Sequence, residues 1–193
     1  MTDNYGSPKW ILDLFPPHRY FDPCPLNADL REFDGLELDD KEYIFMFKDI
    51  HPQTDNVKFQ FQGNASGGSG YNETLTTTTF GSGNHESNGF TIFGYEDSAD
   101  QAQGTSFQNL TANSSLGNDN DQNLSGFLRL FNPSSTTFVK HFICQTAYTS
   151  SSDYQVSDFI AGYFNTTSAI DEIQFKMSSG NVDAGTITLY GIN

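Results

Sequence analysis

The densest run of oxygen ligands in the sequence is Asn118-Asp119-Asn120-Asp121. Calcium takes roughly six to eight oxygens, and carboxylates alternating with amide carbonyls supply part of such a shell. Asn118, Asp119 and Asp121 are therefore the candidate metal ligands, and Asp97 with Asp100 is a sparser pair. The full EF-hand spacing is absent, and the same residue types also make turns that satisfy their own backbone. His18, His51, His85 and His141 stand at no ligand spacing from one another. His141 and Cys144 are an odd number of residues apart, so on a strand they face opposite ways. No Gly-x-Ser-x-Gly elbow occurs, and Gly67-Gly68-Ser69-Gly70 lacks the Lys-Ser/Thr ending of a phosphate loop. Asp171 and Glu172 are neighbours that diverge, unlike the facing carboxylates of a glycosidase. No catalytic set assembles, and a non-enzymatic protein is expected. Tyr71, Tyr95, Tyr148, Tyr154 and Tyr163 are of the type that stacks on glycans or on another subunit, or that fills a core or its rim.

Strands must carry these residues. Ile173, Phe175 and Met177 alternate with Gln174, Lys176 and Ser178. After Ser179-Gly180-Asn181, Ile187 and Leu189 alternate with Thr186, Thr188 and Tyr190. Period two with one apolar face marks a half-buried antiparallel strand. The final strand needs a mate, and residues 43 to 50 are the expected one. There Tyr43, Phe45 and Phe47 alternate with Ile44, Met46 and Lys48, so cover on both faces is expected. Further strands are predicted at residues 57 to 62, 74 to 80, 90 to 95 and 159 to 164. Residues 124 to 131 and 137 to 147 read as a long hairpin about Asn132-Pro133-Ser134-Ser135. Residues 63 to 70, 81 to 89 and 112 to 122 read as loops, and 97 to 104 as a turn of helix. About eight to ten strands at short spacing predict an all-β antiparallel sandwich, jelly-roll-like, over residues 43 to 193.

Composition agrees. Hydrophobic residues are 36% of 193, and Phe 18 with Tyr 9 supply the large apolar areas a core needs. The net charge of -15 repels nucleic-acid backbones and anionic membranes, so neither is an expected partner. No apolar run reaches membrane-spanning length, and no insertion is expected. Cys24 and Cys144 read as free thiols. Residues 1 to 42 form a separate N-terminal arm. Ser7-Pro8 starts a short helix with Trp10, Ile11, Leu14 and Phe15 on one face, and Pro16-Pro17 ends it. An acidic stretch over residues 29 to 42 follows.

Two resemblances bear on function. Ser7-Pro8-Lys9-Trp10-Ile11, Leu14-Phe15 and the turn Asp22-Pro23-Cys24-Pro25 make residues 5 to 38 resemble the start of phage DNA N6-adenine methyltransferases. That resemblance implies that Asp22, Pro23, Cys24 and Pro25 sit beside S-adenosylmethionine. The catalytic Asn/Asp-Pro-Pro-Tyr/Phe loop is missing, because Pro16-Pro17 runs from Phe15 into His18. A displaced fragment of such an enzyme is the reading.

Residues 43 to 193 resemble uncharacterised proteins of marine tailed phages. The carrying segments include YIFMFKDIHPQTDNVKFQFQGNASGGSGYNET, GNDNDQNLSGFLRLFNPSSTTFVKHF, AGYFNTTSAIDEIQFKMSSGN and DAGTITLYGI, in order along the domain. The resemblance implies a virion structural protein of the tail, fibre or capsid-decoration type, made in the host cytoplasm. It implies other virion proteins and further copies of itself as partners, and a host-surface glycan as an additional one. A carbohydrate-binding module and a methyltransferase remnant are the alternatives.

Overall fold

The computed structural model describes residues 42 to 192 throughout and, before them, the backbone of three short strands. Those are β1 (Arg19–Tyr20), β2 (Cys24–Pro25) and β3 (Arg31–Phe33). The long strands are β4 (Glu42–Pro52), β5 (Phe59–Ala65), β6 (Leu75–His85), β10 (Leu124–Phe131), β11 (Lys140–Thr149), β12 (Tyr154–Phe164), β13 (Ile170–Met177) and β14 (Val182–Ile192). Shorter pieces are β7 (Thr91–Tyr95), β8 (Ala102–Gly104) and β9 (Gln108–Asn109), and a 3-10 turn spans Asp97–Ala99. The helix expected about Trp10 lies outside the described residues.

Every strand pairing is antiparallel. A ten-stranded sheet runs β1-β14-β4-β10-β11-β12-β6-β7, with β2 also on β14 and β8 also on β6. A four-stranded sheet runs β3-β13-β5-β9. The pairings are nested along the chain: β4 with β14, β5 with β13, β6 with β12, and β10 with β11. The middle of the polypeptide is thus one long hairpin folded back over itself. The expected mate of the last strand is found, with Phe45 opposite Leu189 and Phe47 opposite Ile187. The expected β10–β11 hairpin is also found.

The two sheets meet through phenylalanines. Phe175 on β13 lies 5.2 Å, centroid to centroid, from both Phe45 and Phe47 on β4, edge to face. It stacks on Phe59 at 5.9 Å and Phe61 at 6.3 Å within its own sheet. Phe61 in turn meets Phe142 of the large sheet edge-on at 4.9 Å. Such pairs add to the area term because positive ring edges meet negative faces.

The structure corrects the sequence reading at several points. β13 and β14, consecutive in the chain, lie in different sheets. The chain crosses between sheets at Ser179-Gly180-Asn181, where Gly180 takes a φ of 66°. β4 is not covered on both sides: Tyr43, Phe45 and Phe47 are buried, while Met46 is 41% exposed and Ile44 half-buried. The loop expected at residues 81 to 89 begins later, because β6 continues to His85. Gly81 is a strand position facing a crowded interior. A Cβ there would come within 2.4 Å of Asp158 Oδ1 and 2.3 Å of Asn113 Nδ2. Gly63 likewise belongs to β5, with the Phe164 ring 2.8 Å from where its Cβ would stand.

Asp158 is fully buried on the inner face of β12. Its Oδ2 accepts the N–H groups of Ala112 at 2.6 Å and Asn113 at 3.1 Å, and the Tyr148 hydroxyl at 3.0 Å. Its Oδ1 accepts from Asn113 Nδ2. The carboxylate therefore pins the segment after β9 to the large sheet. Lys58 Nζ holds the same segment from outside, donating to the Ala112 and Ser114 carbonyls at 3.0 and 2.8 Å.

Because Phe175 touches both sheets, Phe175→Ala is expected to cost about 3–5 kcal/mol in urea unfolding. A loss below about 1 kcal/mol would mean that the sheets are held together elsewhere.

Candidate functional site

The outer faces of the two sheets differ in kind. On the small sheet the outward residues are polar and engaged. Gln60 Nε2 donates to Asn109 Oδ1 at 2.8 Å, and Asn64 Nδ2 to Glu172 Oε2 at 2.7 Å. Gln62 is buried there, donating to the Glu73, Thr105 and Ser106 carbonyls. Lys176 Nζ sits 3.9 Å from the centre of the Phe107 ring, a cation–π contact.

The outer face of the large sheet carries an exposed apolar band, bordered by a more polar row that includes Ser82, Ser157, Ser125 and Lys48. Strand register lines its residues up in rows. One row reads Tyr95, Phe80, Phe159, Gln145, Phe127, Met46 and Thr188 across β7, β6, β12, β11, β10, β4 and β14. Phe80 and Phe159 stack in parallel, 5.0 Å apart with 4° between their planes. The next row reads Thr78, Ala161, Ile143, Arg129, Ile44 and Tyr190. Arg129 lies in the second row, and its Nε donates to Glu42 Oε1; Lys48 stands exposed on the same face, opposite Thr186. The face thus carries neutral rings on a chain of net charge -15.

Within this face lies a shallow, open hollow of about 540 Å³. The small Ala161 side chain leaves the space beside the Gly162 backbone, and Thr76, Thr78, His141, Ile143 and Tyr163 stand around it. His141 and Tyr163 tilt against each other at 5.6 Å. Gly162 has no room for a side chain on its inner side, where a Cβ would lie 2.7 Å from the Thr76 carbonyl and 2.8 Å from the Phe142 ring. The hollow has an apolar floor and hydroxyl and imidazole walls, suited to a ring that is apolar on its faces and polar at its edge.

The sequence-predicted residues fall elsewhere. Asn118, Asp119 and Asp121 lie in the loop before β10, near the start of β14. Asn118 donates its N–H to Asp55 Oδ1 at 3.3 Å and its side-chain amide to the Gln53 carbonyl at 3.2 Å. Asp119 and Asp121 are exposed. Among the described residues, no group of three or more His, Cys, Asp or Glu side chains converges as a metal shell. Asp22 and Pro23 lie outside the described residues, and the backbone of Cys24–Pro25 pairs with Ile187 and Thr186. His141 faces outward and Cys144 inward, as their spacing predicts. Burial pushes the Cys144 thiol far above its usual range. Of the five tyrosines, Tyr95 is exposed and Tyr163 half-buried on the outer face, whereas Tyr148 is a core residue bonded to Asp158. Period-two reading had no means to tell them apart. The phenylalanines of the outer face escape it too, because the runs 74 to 80 and 159 to 164 read as strands with no outward apolar face assigned.

His51 was passed over in the sequence, yet it ties the predicted ligand loop to β14. Its Nε2 donates to the Asp119 carbonyl at 3.2 Å, and its Nδ1 lies 2.7 Å from Asp183 Oδ1. Both partners are acceptors, so the doubly protonated ring satisfies both. Partial burial works against that charge, but Asp183 and the Asp119 carbonyl outweigh it and raise the pKa above 6.5.

Compared with family models, with curated proteins and with solved structures, the chain matches none. The fold and face define a class without them: an antiparallel two-sheet β protein with, among the described residues, an exposed apolar band on the broad sheet.

A raised folded-state pKa contributes stability fully below the unfolded value and loses it as pH rises through the folded value. The urea stability of wild type over His51→Gln is therefore expected to shrink between about pH 6 and about pH 8, by under ~1 kcal/mol because the pair is partly solvated. A difference that does not change with pH would count against the ion pair.

Proposed function

We propose that the chain is a non-enzymatic structural protein of a bacteriophage virion, of the tail, fibre or capsid-decoration type. It is built into the particle through the outer face of its large sheet. One observation carries this reading: the sheet keeps an open, nearly uncharged row of rings from Tyr95 to Met46 on a strongly acidic chain. A contiguous exposed apolar band is the kind of surface that another protein covers. The phage resemblance of residues 43 to 193 supports the same reading, and supplies other virion proteins and further copies as the partners.

The finer fold reading is a β-sandwich of jelly-roll type, an architecture recurrent in viral capsid and lectin domains. The nested pairings, β4–β14 outermost and β10–β11 innermost, support it. The distribution of the pairs departs from an even split: only β5–β13 lies in the small sheet. A second reading, as a carbohydrate-binding module, is favoured by the hollow beside Tyr163 and His141.

Mass spectrometry of purified virions is expected to find the chain in the particle. Phe159→Lys places a cation in the middle of the aromatic row and leaves the core intact. It is expected to lower incorporation roughly tenfold, as loss of a central contact residue does. Particles lacking the chain, together with saccharide binding that Tyr163→Ala abolishes, would replace this reading with the second.

A further inference from the structure

The two edges of the large sheet are not alike. At one, β1 and β2 lie against β14. At the other, β7 pairs with β6 and, among the described residues, with no other strand. Backbone groups alternate in direction along a strand, so the pairing tells which of them face the open side. The Glu96 N–H donates to the Thr79 carbonyl, and the His85 N–H to the Phe90 carbonyl, each at 3.0 Å. Phe90, Ile92, Gly94 and Glu96 therefore turn their backbone groups toward β6. Thr91, Phe93 and Tyr95 turn theirs outward.

Natural proteins blunt such edges with lysine, proline, bulges or very short strands. β7 reads Thr-Ile-Phe-Gly-Tyr, with no charge and no proline, and keeps regular register with β6 over its whole length. Phe93 is 85% exposed on the same outer face as Tyr95 and Phe80, so the edge continues the aromatic face.

We propose that two copies of the chain pair β7 to β7 in antiparallel fashion about a two-fold axis at Phe93, joining their large sheets into one. The proposal rests on the reading that the chain assembles, and names how. The strand is self-complementary in this arrangement. Phe93 lies opposite its symmetry mate, the two exchange backbone hydrogen bonds, and Thr91 lies opposite Tyr95. No like charges meet within the strand. Beyond its ends stand Glu86, Glu96, Asp97 and Asp100 on each copy. Those carboxylates repel, so salt strengthens this association; it would weaken the attachment of a basic partner. With the opposite edge occupied by β1 and β2, the two-fold contact gives a closed dimer.

Sedimentation velocity of the full chain is expected to show a monomer–dimer equilibrium that tightens from ~0.05 M to ~0.5 M sodium chloride. Phe93→Pro removes an outward N–H and leaves the β6 pairing untouched, a substitution that edge strands tolerate. It is expected to weaken the dimer at least roughly tenfold, since two symmetric hydrogen bonds are lost. Phe93→Ser keeps the N–H and is expected to weaken it less. In wild type, hydrogen exchange at the Thr91, Phe93 and Tyr95 amides is expected to slow with protein concentration. Protection independent of concentration would mean that the edge is covered from within the chain, and would overturn the proposal. So would association that survives Phe93→Pro but is lost in Phe159→Lys, which leaves the virion reading standing. A chain that stays monomeric throughout removes the β7 pairing, and its presence in particles then decides the broader reading on its own.

Discussion

The edge-to-face contact of Phe175 with Phe45 and Phe47 is the constraint from which the rest of the molecule follows. Two sheets of unequal size must share one core, and the four-stranded sheet spans only part of the ten-stranded one. Beneath β4, β10 and β14 the interior is aromatic and aliphatic. Toward β12 and β6 it turns polar, with Thr77, Gln108, Thr146 and Asp158 all buried. There the large sheet is covered by irregular chain instead of strands. The segment after β9 supplies that cover. Leu110 fills the core, its carbonyl accepts from Thr146 Oγ1 at 2.7 Å, and Thr111 Oγ1 accepts the Phe59 N–H at 3.1 Å. Irregular backbone brought into an interior has N–H groups without sheet partners, and each must find an acceptor. Asp158 is that acceptor, and Gly81 is small because the carboxylate and Asn113 crowd the place where its Cβ would stand.

The same inequality explains the contrast between the outer faces. Loops return over the small sheet, and the Thr105 and Ser106 carbonyls accept from the buried Gln62. The broad sheet has more face than the described loops cover, and that face holds Phe80, Phe159 and Met46. Apolar residues there contribute nothing to the core. Their place in regular cross-strand rows, with Arg129 already paired to Glu42, gives an apolar band of low charge.

Alternation in the sequence was enough to find most strands, the closing pair β4–β14 and the hairpin β10–β11, because each rests on local period two or on a short turn. It failed where meaning depends on a distant residue. Gly81 and Gly83 look like loop signals, and only Asp158 and Asn113, far along the chain, make Gly81 a strand position. The separation of β13 from β14 was not legible either, since the turn between them serves a hairpin as well as a crossing between sheets. The outer face was half legible. Ile44 and Met46 announced a strand with two apolar faces, but period two does not say whether the second face meets protein or water. Tyr148 and Tyr163 differ only in which side of the large sheet they occupy.

The distribution of charge ties these features together. Much of the acidity of the described chain lies at strand ends and in connections: Asp49, Asp55, Glu86, Asp97, Asp119, Asp121, Asp153 and Asp183. The aromatic row and the β7 strand itself carry no charge. A rim of one sign around a neutral centre resists approach from most directions and tolerates contact through the centre, where the carboxylates of two copies can point apart into solvent. In the proposed dimer, repulsion that is long-ranged at low salt sets when copies meet, and backbone pairing and ring contact set how. Under the proposed β7 pairing, an acidic chain of this kind stays dispersed while dilute and associates through one geometry when concentrated.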